Sequence, residues 1–270
     1  MKNSMIVLAA LASLTSAASA SDLNNGLVGF FPFEGTPYDA MNHGYAVTPV
    51  GTPTYERGAV GRAMRFDGTD GLLVDHVGQL SFDLDSESYS IAFYCKWDGG
   101  NDDQNIIQDR YGANVPVSYN FGFNGEVDQA ASNSWYGMGW GDGFFVSTTK
   151  LQFVGEWRHV AVTYDATIGV KTLYVDGVLL DTEVRPNHEY PDPNNTRITI
   201  GTYWGSCGCL ANFYHGLLDE LRIYNRVLSQ GEITELVELE PCLADYNGDG
   251  FINGDDFDLF AEQFEAGGCN

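Results

Sequence analysis

Oxygen-bearing residues alternate through the string DYNGDGFINGDD, which runs from Asp245 to Asp256. Asp245, Asn247 and Asp249 stand at the first, third and fifth places of this twelve-residue stretch. Gly250 follows at the sixth, where a sharp turn is needed, and Phe251 at the seventh, where a backbone carbonyl serves. Asn253 takes the ninth place. Hard cations of calcium's size are held by oxygens at this spacing, so the stretch reads as an EF-hand loop and the expected cofactor is Ca2+. Asp256 closes the ligand set where a bidentate Glu is usual, which shortens that ligand by one methylene. Ile252 is the apolar residue expected to pin the loop to its neighbour. A polar turn built from the same Gly, Asn and Asp residues is the plainer alternative, but it does not require all these positions to be filled in register.

A second group of residues suits stacking rather than coordination. The segment 133–145, NSWYGMGWGDGFF, concentrates Trp135, Tyr136, Trp140, Phe144 and Phe145 among glycines, with Asn133 and Asp142 interspersed. Aromatic faces stack on the apolar C–H surface of sugar rings while neighbouring amides and carboxylates orient the hydroxyls. Tyr203 and Trp204 are candidates to join them. The competing reading puts alternate rings into a core, where strand aromatics usually go. His/Cys clusters with zinc spacing are missing, since Cys207 and Cys209 lack a second ligand pair. Neither a Ser-His-Asp arrangement nor a phosphate loop is present.

The elements that must position these groups are short strands. Thirty-two glycines and 13% aromatics favour turns and strands over helices. Runs such as SYSIAFYCKW, EWRHVAVTYD, KTLYVDGVLL and LLDELRIYN are β-branched or aromatic and end at Gly, Asp, Asn or Pro. Ile91, Phe93 and Cys95 share one face of their strand, and Val160 and Val162 share one of theirs, as a two-sheet sandwich requires. Asp176-Gly177 marks a tight hairpin. Ser229 and Glu232 form a capping box ahead of a short helix whose stripe is Ile233, Leu236 and Val237. A second short helix, with Phe257, Phe260, Ala261 and Phe264 on one face, is expected to leave the metal loop.

Residues 1–20 carry Lys2, an apolar run and the small-residue exit Ala18-Ser19-Ala20, the pattern of a secretory signal peptide. The expected organisation is a signal peptide over 1–20, an all-β antiparallel sandwich over 21–237, a linker at 238–241 and a small calcium module over 242–270. The formal charge of −24 argues against nucleic acid and anionic lipid as partners. A membrane span is not expected, because the apolar run near the start is too short for one. Cys242 and Cys269 bracket the metal loop, and a disulfide between them would staple a segment too small to build its own core. Cys207 and Cys209 either pair across Gly208 under strain or bond elsewhere, and Cys95 is expected to be a free buried thiol.

The ordered strings GLVGFFPFEG, DAMNHG, AVGRAMRFDGTD, EWRHVAVTYD and GLLDELRIYNRVLSQGEI resemble the laminin-G-like, concanavalin A-like domains of secreted bacterial proteins over about Gly26 to Leu236. That resemblance implies a two-sheet jelly roll that binds carbohydrate or protein and often holds calcium. In such relatives the Asp of the LDE string and polar residues after the first strand build a structural calcium site, and Asp39, Asn42 and Asp219 are the matching positions. The tail from Cys242 to Cys269 resembles a single dockerin-type repeat, whereas dockerins that clamp a cohesin carry two. Glucanases on this fold need two carboxylates on one face of a strand, in an E-x-D-x-x-E pattern. The stretch from Glu126 and Asp128 lacks the last carboxylate.

These features lead to a secreted, non-catalytic, calcium-dependent binding module, extracellular or at the cell surface, with a glycan or an extracellular protein as partner. A glycan hydrolase, and an anchoring protein docking through its C-terminal module, are the alternatives. Asp249→Ala is expected to abolish calcium uptake by the C-terminal loop, because it removes a central carboxylate ligand. Calorimetric calcium titration of the full chain with and without the substitution checks this.

Overall fold

A computed structural model describes residues 22–76, 78–83, 86–100, 103–109, 119–123, 153–184, 197–205 and 207–238, the backbone of 135–137, and residues 254, 257, 258 and 261. Sixteen strands and one helix occur in chain order over the described residues up to 238. The strands are β1 (Leu27–Phe31), β2 (Ala46–Val50), β3 (Thr54–Arg57), β4 (Arg62–Asp67), β5 (Gly71–Asp75), β6 (Tyr89–Trp97), β7 (Gln104–Gln108) and β8 (Asn120–Phe123). They continue with β9 (Trp135–Gly137), β10 (Trp157–Asp165), β11 (Val170–Val175), β12 (Val178–Val184), β13 (Arg197–Ile200), β14 (Tyr203–Trp204), β15 (Leu210–Ala211) and β16 (His215–Tyr224), before α1 (Gln230–Val237).

The strands form two antiparallel sheets and a small ribbon. One sheet runs β12-β11-β10-β6-β16-β4-β3, with β1 also paired to β16; the other runs β2-β5-β13-β7-β8-β9; β14 and β15 pair with each other. Inward residues of both sheets make one core. Ile91, Phe93 and Cys95 of β6 face Val160 and Val162 of β10, as the period of two demands, and they meet Ile107, Ile198 and Ile200 from the opposite sheet. Rings stack through the middle of this core, Trp97 lying on Phe123 at 4.3 Å between centroids. Cys95 is a free buried thiol, and burial pushes its pKa up.

Strand β16 organises the larger sheet. It pairs with β6 at 216–219 and 222–224, while its other edge is shared by β4 at 215–218 and β1 at 221–224. The register with β6 slips between Asp219 and Arg222, and Glu220 takes a positive φ of 54°. The β11–β12 hairpin turns at Asp176 (φ 49°) and Gly177 (φ 74°), the two left-handed residues a tight primed turn needs.

Helix α1 covers the outer face of this sheet. Ser229 Oγ accepts from Glu232 N at 3.3 Å and Ser229 N donates to the Glu232 carboxylate at 2.8 Å, which satisfies two backbone donors at the helix start. Ile233 and Leu236 bury against Leu27, Ala92, Ala161 and Tyr224. The Tyr94 hydroxyl donates to the end of the helix, at Val237 O (2.7 Å). Beyond α1, Gly254, Phe257, Asp258 and Ala261 are helical, with Phe257 68% exposed. No helix among the described residues is long and apolar enough to cross a membrane.

The Arg226 guanidinium, followed by the Ser229 bonds, lowers the Glu232 pKa from 4.5 to about 2. A depressed acid contributes stability that is complete above its unfolded pKa and fades as the pH falls from about 4.5 towards 2. Arg226→Ala should return Glu232 towards the usual carboxylate range and shift acid destabilisation to higher pH. Side-chain carboxyl NMR titration with acid unfolding curves measures both.

Candidate functional site

Three connections converge at one end of the sandwich around a cleft of about 560 Å³. Gly68 after β4, and Gly99 and Gly100 after β6, supply wall without side chains, while Asp103, Asn212, Phe213 and His215 supply the chemistry. Gln104, at the start of β7, ties the loops together. Its Oε1 accepts from Trp97 Nε1 (3.0 Å) and from His215 N (2.9 Å), and its Nε2 donates to Gly99 O (3.0 Å). A Cβ at Gly100 would stand 2.5 Å from Gln104 Nε2, so a side chain there would displace this bridge. Backbone bonds complete the frame: Gly68 N to Tyr214 O at 3.0 Å, Asp98 N to His215 O at 3.1 Å and Asn105 N to Asn212 O at 2.8 Å.

The rim is charged. Arg65 is bound by Asp98 and by Glu56 (2.8 Å), and Asp98 also stands 3.5 Å from His215 Nε2. A half-buried ring, a carboxylate, an amide and an imidazole therefore meet in one open hollow. That combination offers a stacking face together with acceptors and donors for hydroxyl groups. A second hollow of about 510 Å³, beside Phe82 and Asp165, is a structural seam: its Arg226 is paired with Glu232, and Ser88 Oγ accepts from Ala166 N.

Of the aromatics singled out in the sequence, Tyr203 and Trp204 form β14 and are half-buried. They register against Ala211 and Leu210, and Trp204 N donates to Gln108 Oε1 at 2.8 Å. The ribbon they belong to leads directly into Asn212 and Phe213 of the cleft. Trp135 and Tyr136 lie in β9, opposite Phe123 and Gly122 at the edge of the smaller sheet. Asn133, Trp140 and Asp142 fall outside the described residues, as do Glu126, Asp128, the loop residues Asp245, Asn247, Asp249, Phe251, Asn253 and Asp256, and the cysteines Cys242 and Cys269. Asp103, Gln104, Asn212, Phe213 and His215 were not singled out by sequence. The Gly99-Gly100 pair is visible in the sequence, but it does not say that the loops meet.

Asp219 occupies the break in β16. It is fully buried, its Oδ2 accepts from Val60 N at 2.9 Å, and its Oδ1 has no hydrogen-bond partner. Desolvation raises its pKa to about 9, with Glu220 and Glu34 adding repulsion. Glu34 caps the same loop by accepting from Arg62 N through both oxygens, at 3.1 and 3.0 Å. Adjacent Glu220 turns away to Arg222, 2.5 Å distant. Asp39 Oδ1 accepts from Phe30 N and its Oδ2 from His43 N and His43 Nδ1, each at 2.9 Å, while Asn42 sits in a left-handed turn with φ 57°. No group of three or more His, Cys, Asp or Glu side chains placed to hold a metal occurs among the described residues. His159 is buried beside Tyr94, and desolvation takes its pKa down to about 3, so it stays neutral.

With this fold and cleft in place, comparison identifies the family. A family model described as the concanavalin A-like lectin/glucanases superfamily matches residues 66–234, and the chain belongs to that family. Domain 4 of AbnA, a GH43 extracellular arabinanase from Geobacillus stearothermophilus solved in complex with arabinotriose, is similar with a TM-score of 0.60 and 19% identity, over 78% of this chain and 98% of that one. The binding domain of Paraclostridial Mosquitocidal Protein 1 is similar with a TM-score of 0.60 and 17% identity, over 78% of this chain and 52% of that one. A botulinum neurotoxin DC binding domain in complex with SialylT gives 0.56 and 15%, over 79% and 51%. The chain thus spans nearly all of the arabinanase domain but about half of the toxin domains. At such identities the likeness is one of fold. No match was found among curated proteins.

Gln104→Ala should lower unfolding free energy by about 1–3 kcal/mol, because it leaves the buried Trp97 indole N–H and the His215 N–H without an acceptor. Gln104→Glu keeps that acceptor and should cost less. Urea unfolding of the two variants measures the difference.

Proposed function

We propose that this protein is a secreted, non-catalytic carbohydrate-binding module that holds an oligosaccharide in the cleft at the end of the sandwich. The observation that carries the reading is the meeting of Phe213, Asp103, Asn212 and His215 in one open hollow of about 560 Å³. A sugar ring stacks on Phe213 while the carboxylate accepts from its hydroxyls and the amide and imidazole bond the others. Tyr203 and Trp204 on the adjoining ribbon extend the aromatic surface. The arabinotriose and SialylT bound by structural relatives support a glycan as ligand. Of these, a neutral glycan suits a chain with a formal charge of −24 and a cleft bordered by Asp98 and Asp103 better than an anionic one.

Calcium serves structure in this reading. The buried, unpartnered Asp219 Oδ1 is a mismatch that a cation would remove by ionising the carboxylate. This site lies at the start of β4 and the cleft at its end, so a cation there orders the strand without touching the sugar. The C-terminal loop from Asp245 to Asp256 is the second calcium site.

The test is isothermal titration of the full chain with a panel of neutral oligosaccharides that includes arabinotriose, with and without chelator. Phe213→Ala and Asp103→Asn are each expected to weaken binding about ten-fold, the loss of one stacking or charge-assisted contact. Unchanged binding by both folded variants, or no binding to any oligosaccharide, overturns the proposal. Calcium stoichiometry measured on the same samples should fall from two to one in Asp219→Asn.

A further inference from the structure

The tip of the β14–β15 ribbon carries a disulfide with an unusual position. Cys207 and Cys209 are bonded to each other with only Gly208 between them, and their Cα atoms are 5.3 Å apart. Both cysteines and the glycine are exposed. Gly208 adopts a φ of 71°, a left-handed conformation that a side chain would oppose. The bond spans so short a loop that it removes little freedom from the unfolded chain, since that stabilisation grows with the number of residues enclosed. The pair stands at a solvent-facing tip, within reach of a dissolved reductant. Structural disulfides that resist reduction enclose long segments or lie buried, whereas exposed short ones are the labile class.

The surrounding hydrogen bonds show what the bond holds. Only two residue pairs, Tyr203 with Ala211 and Trp204 with Leu210, make the ribbon, which is too short to persist by pairing alone. Its base is anchored independently, by Asn105 Nδ2 to Thr202 O (3.0 Å) and Thr202 Oγ1 to Ala211 O (3.0 Å). At the tip there are Gly205 N to Cys209 O and Gly208 N to Gly205 O, both 2.9 Å, and the covalent link. The remaining described cysteine, Cys95, is buried within a strand of the core and takes no part.

We propose that Cys207–Cys209 is a thiol–disulfide exchange site, opened by dithiol reductants and by protein dithiols of similar access, and that its redox state sets the order of the Tyr203–Trp204 ribbon. One thiolate of the dithiol attacks a sulfur of the pair, forming a mixed disulfide as the Cys207–Cys209 bond breaks, and the other cysteine leaves as a thiolate that takes up a proton. The second thiol of the reductant then loses its proton and displaces the bound cysteine. The protein disulfide is reduced by two electrons to two thiols and the dithiol is oxidised to its cyclic disulfide. The base anchors remain, so reduction loosens the tip without unfolding the sandwich. This inference is independent of the glycan reading, because it needs only the position and exposure of the pair.

The experiment is differential alkylation of the native, oxidised full chain over a series of dithiothreitol concentrations, read by peptide mass mapping, with Trp fluorescence followed in parallel. Half-alkylation of Cys207 and Cys209 is expected at a reductant concentration at least about ten-fold below that at which the folded chain loses its thermal transition, as an exposed labile bond requires. A fluorescence change should accompany it and be absent from the C207S/C209S variant. Cysteines 207 and 209 found unpaired in the oxidised chain, or protected from dithiothreitol until the chain unfolds, would overturn the proposal. A variant that reproduces the same fluorescence change on reduction would overturn the part concerning the ribbon.

Discussion

The pairing of β16 is the constraint on which the rest of this molecule depends. One edge of a ten-residue strand pairs with β6 at 216–219 and again at 222–224, and the opposite edge is shared between β4 and β1. The ladder with β6 slips between Asp219 and Arg222, level with the place where the opposite edge passes from β4 at Leu218 to β1 at Leu221. A register slip exchanges faces, and here it sends Asp219 into the loop before β4 while Glu220 turns to Arg222. Asp219, a buried carboxylate whose pKa desolvation raises to about 9, thus lies at an irregularity of strand pairing. The arrangement is costly without a compensating charge, which is why its unpartnered oxygen is informative.

Strand β4 transmits that arrangement to the other end of the sandwich. Its first residue, Arg62, is gripped through its N–H by Glu34, and its last, Asp67, opens the turn that walls the cleft. Across the cleft, β16 begins at His215, whose backbone N–H is held by Gln104. The cleft is therefore framed by the starts and ends of the same strands that meet at the β16 break. A buried glutamine with three bonds is well suited to such a junction, because its flat amide offers acceptor and donor directions at once. Losing the acceptor leaves buried N–H groups unpaired, which costs more than the bond's own net worth.

Helix α1 and the ribbon show two different ways of finishing a sandwich. The helix closes the outer face of the larger sheet with apolar area, a capping box and the Tyr94 hydroxyl at its C-terminal carbonyls. The ribbon has only two residue pairs and is closed covalently at Cys207–Cys209. In the sequence the close spacing of these cysteines left their pairing open, since sequence does not tell whether the backbone between them turns enough to bring the sulfurs together. The turn at Gly208 settles that point.

Local patterns in the amino-acid sequence determined the strands, the Asp176-Gly177 hairpin, the capped helix and the buried faces of β6 and β10. Each of these rests on interactions between residues close in the chain or on the period of two, and such interactions can be read along one dimension. The family strings determined the sandwich class for the same reason, since they record those periods in a fixed order. The tertiary structure alone decided which loops meet. Gly68, Gly99, Asp103 and Phe213 share no motif, and they become neighbours only because β4, β6, β7 and β16 end at the same edge of two packed sheets. It likewise decided that Glu34, distant in the chain, joins the adjacent Glu220 in adding repulsion at that carboxylate. Long-range pairing sets those distances, and no local residue pattern encodes them.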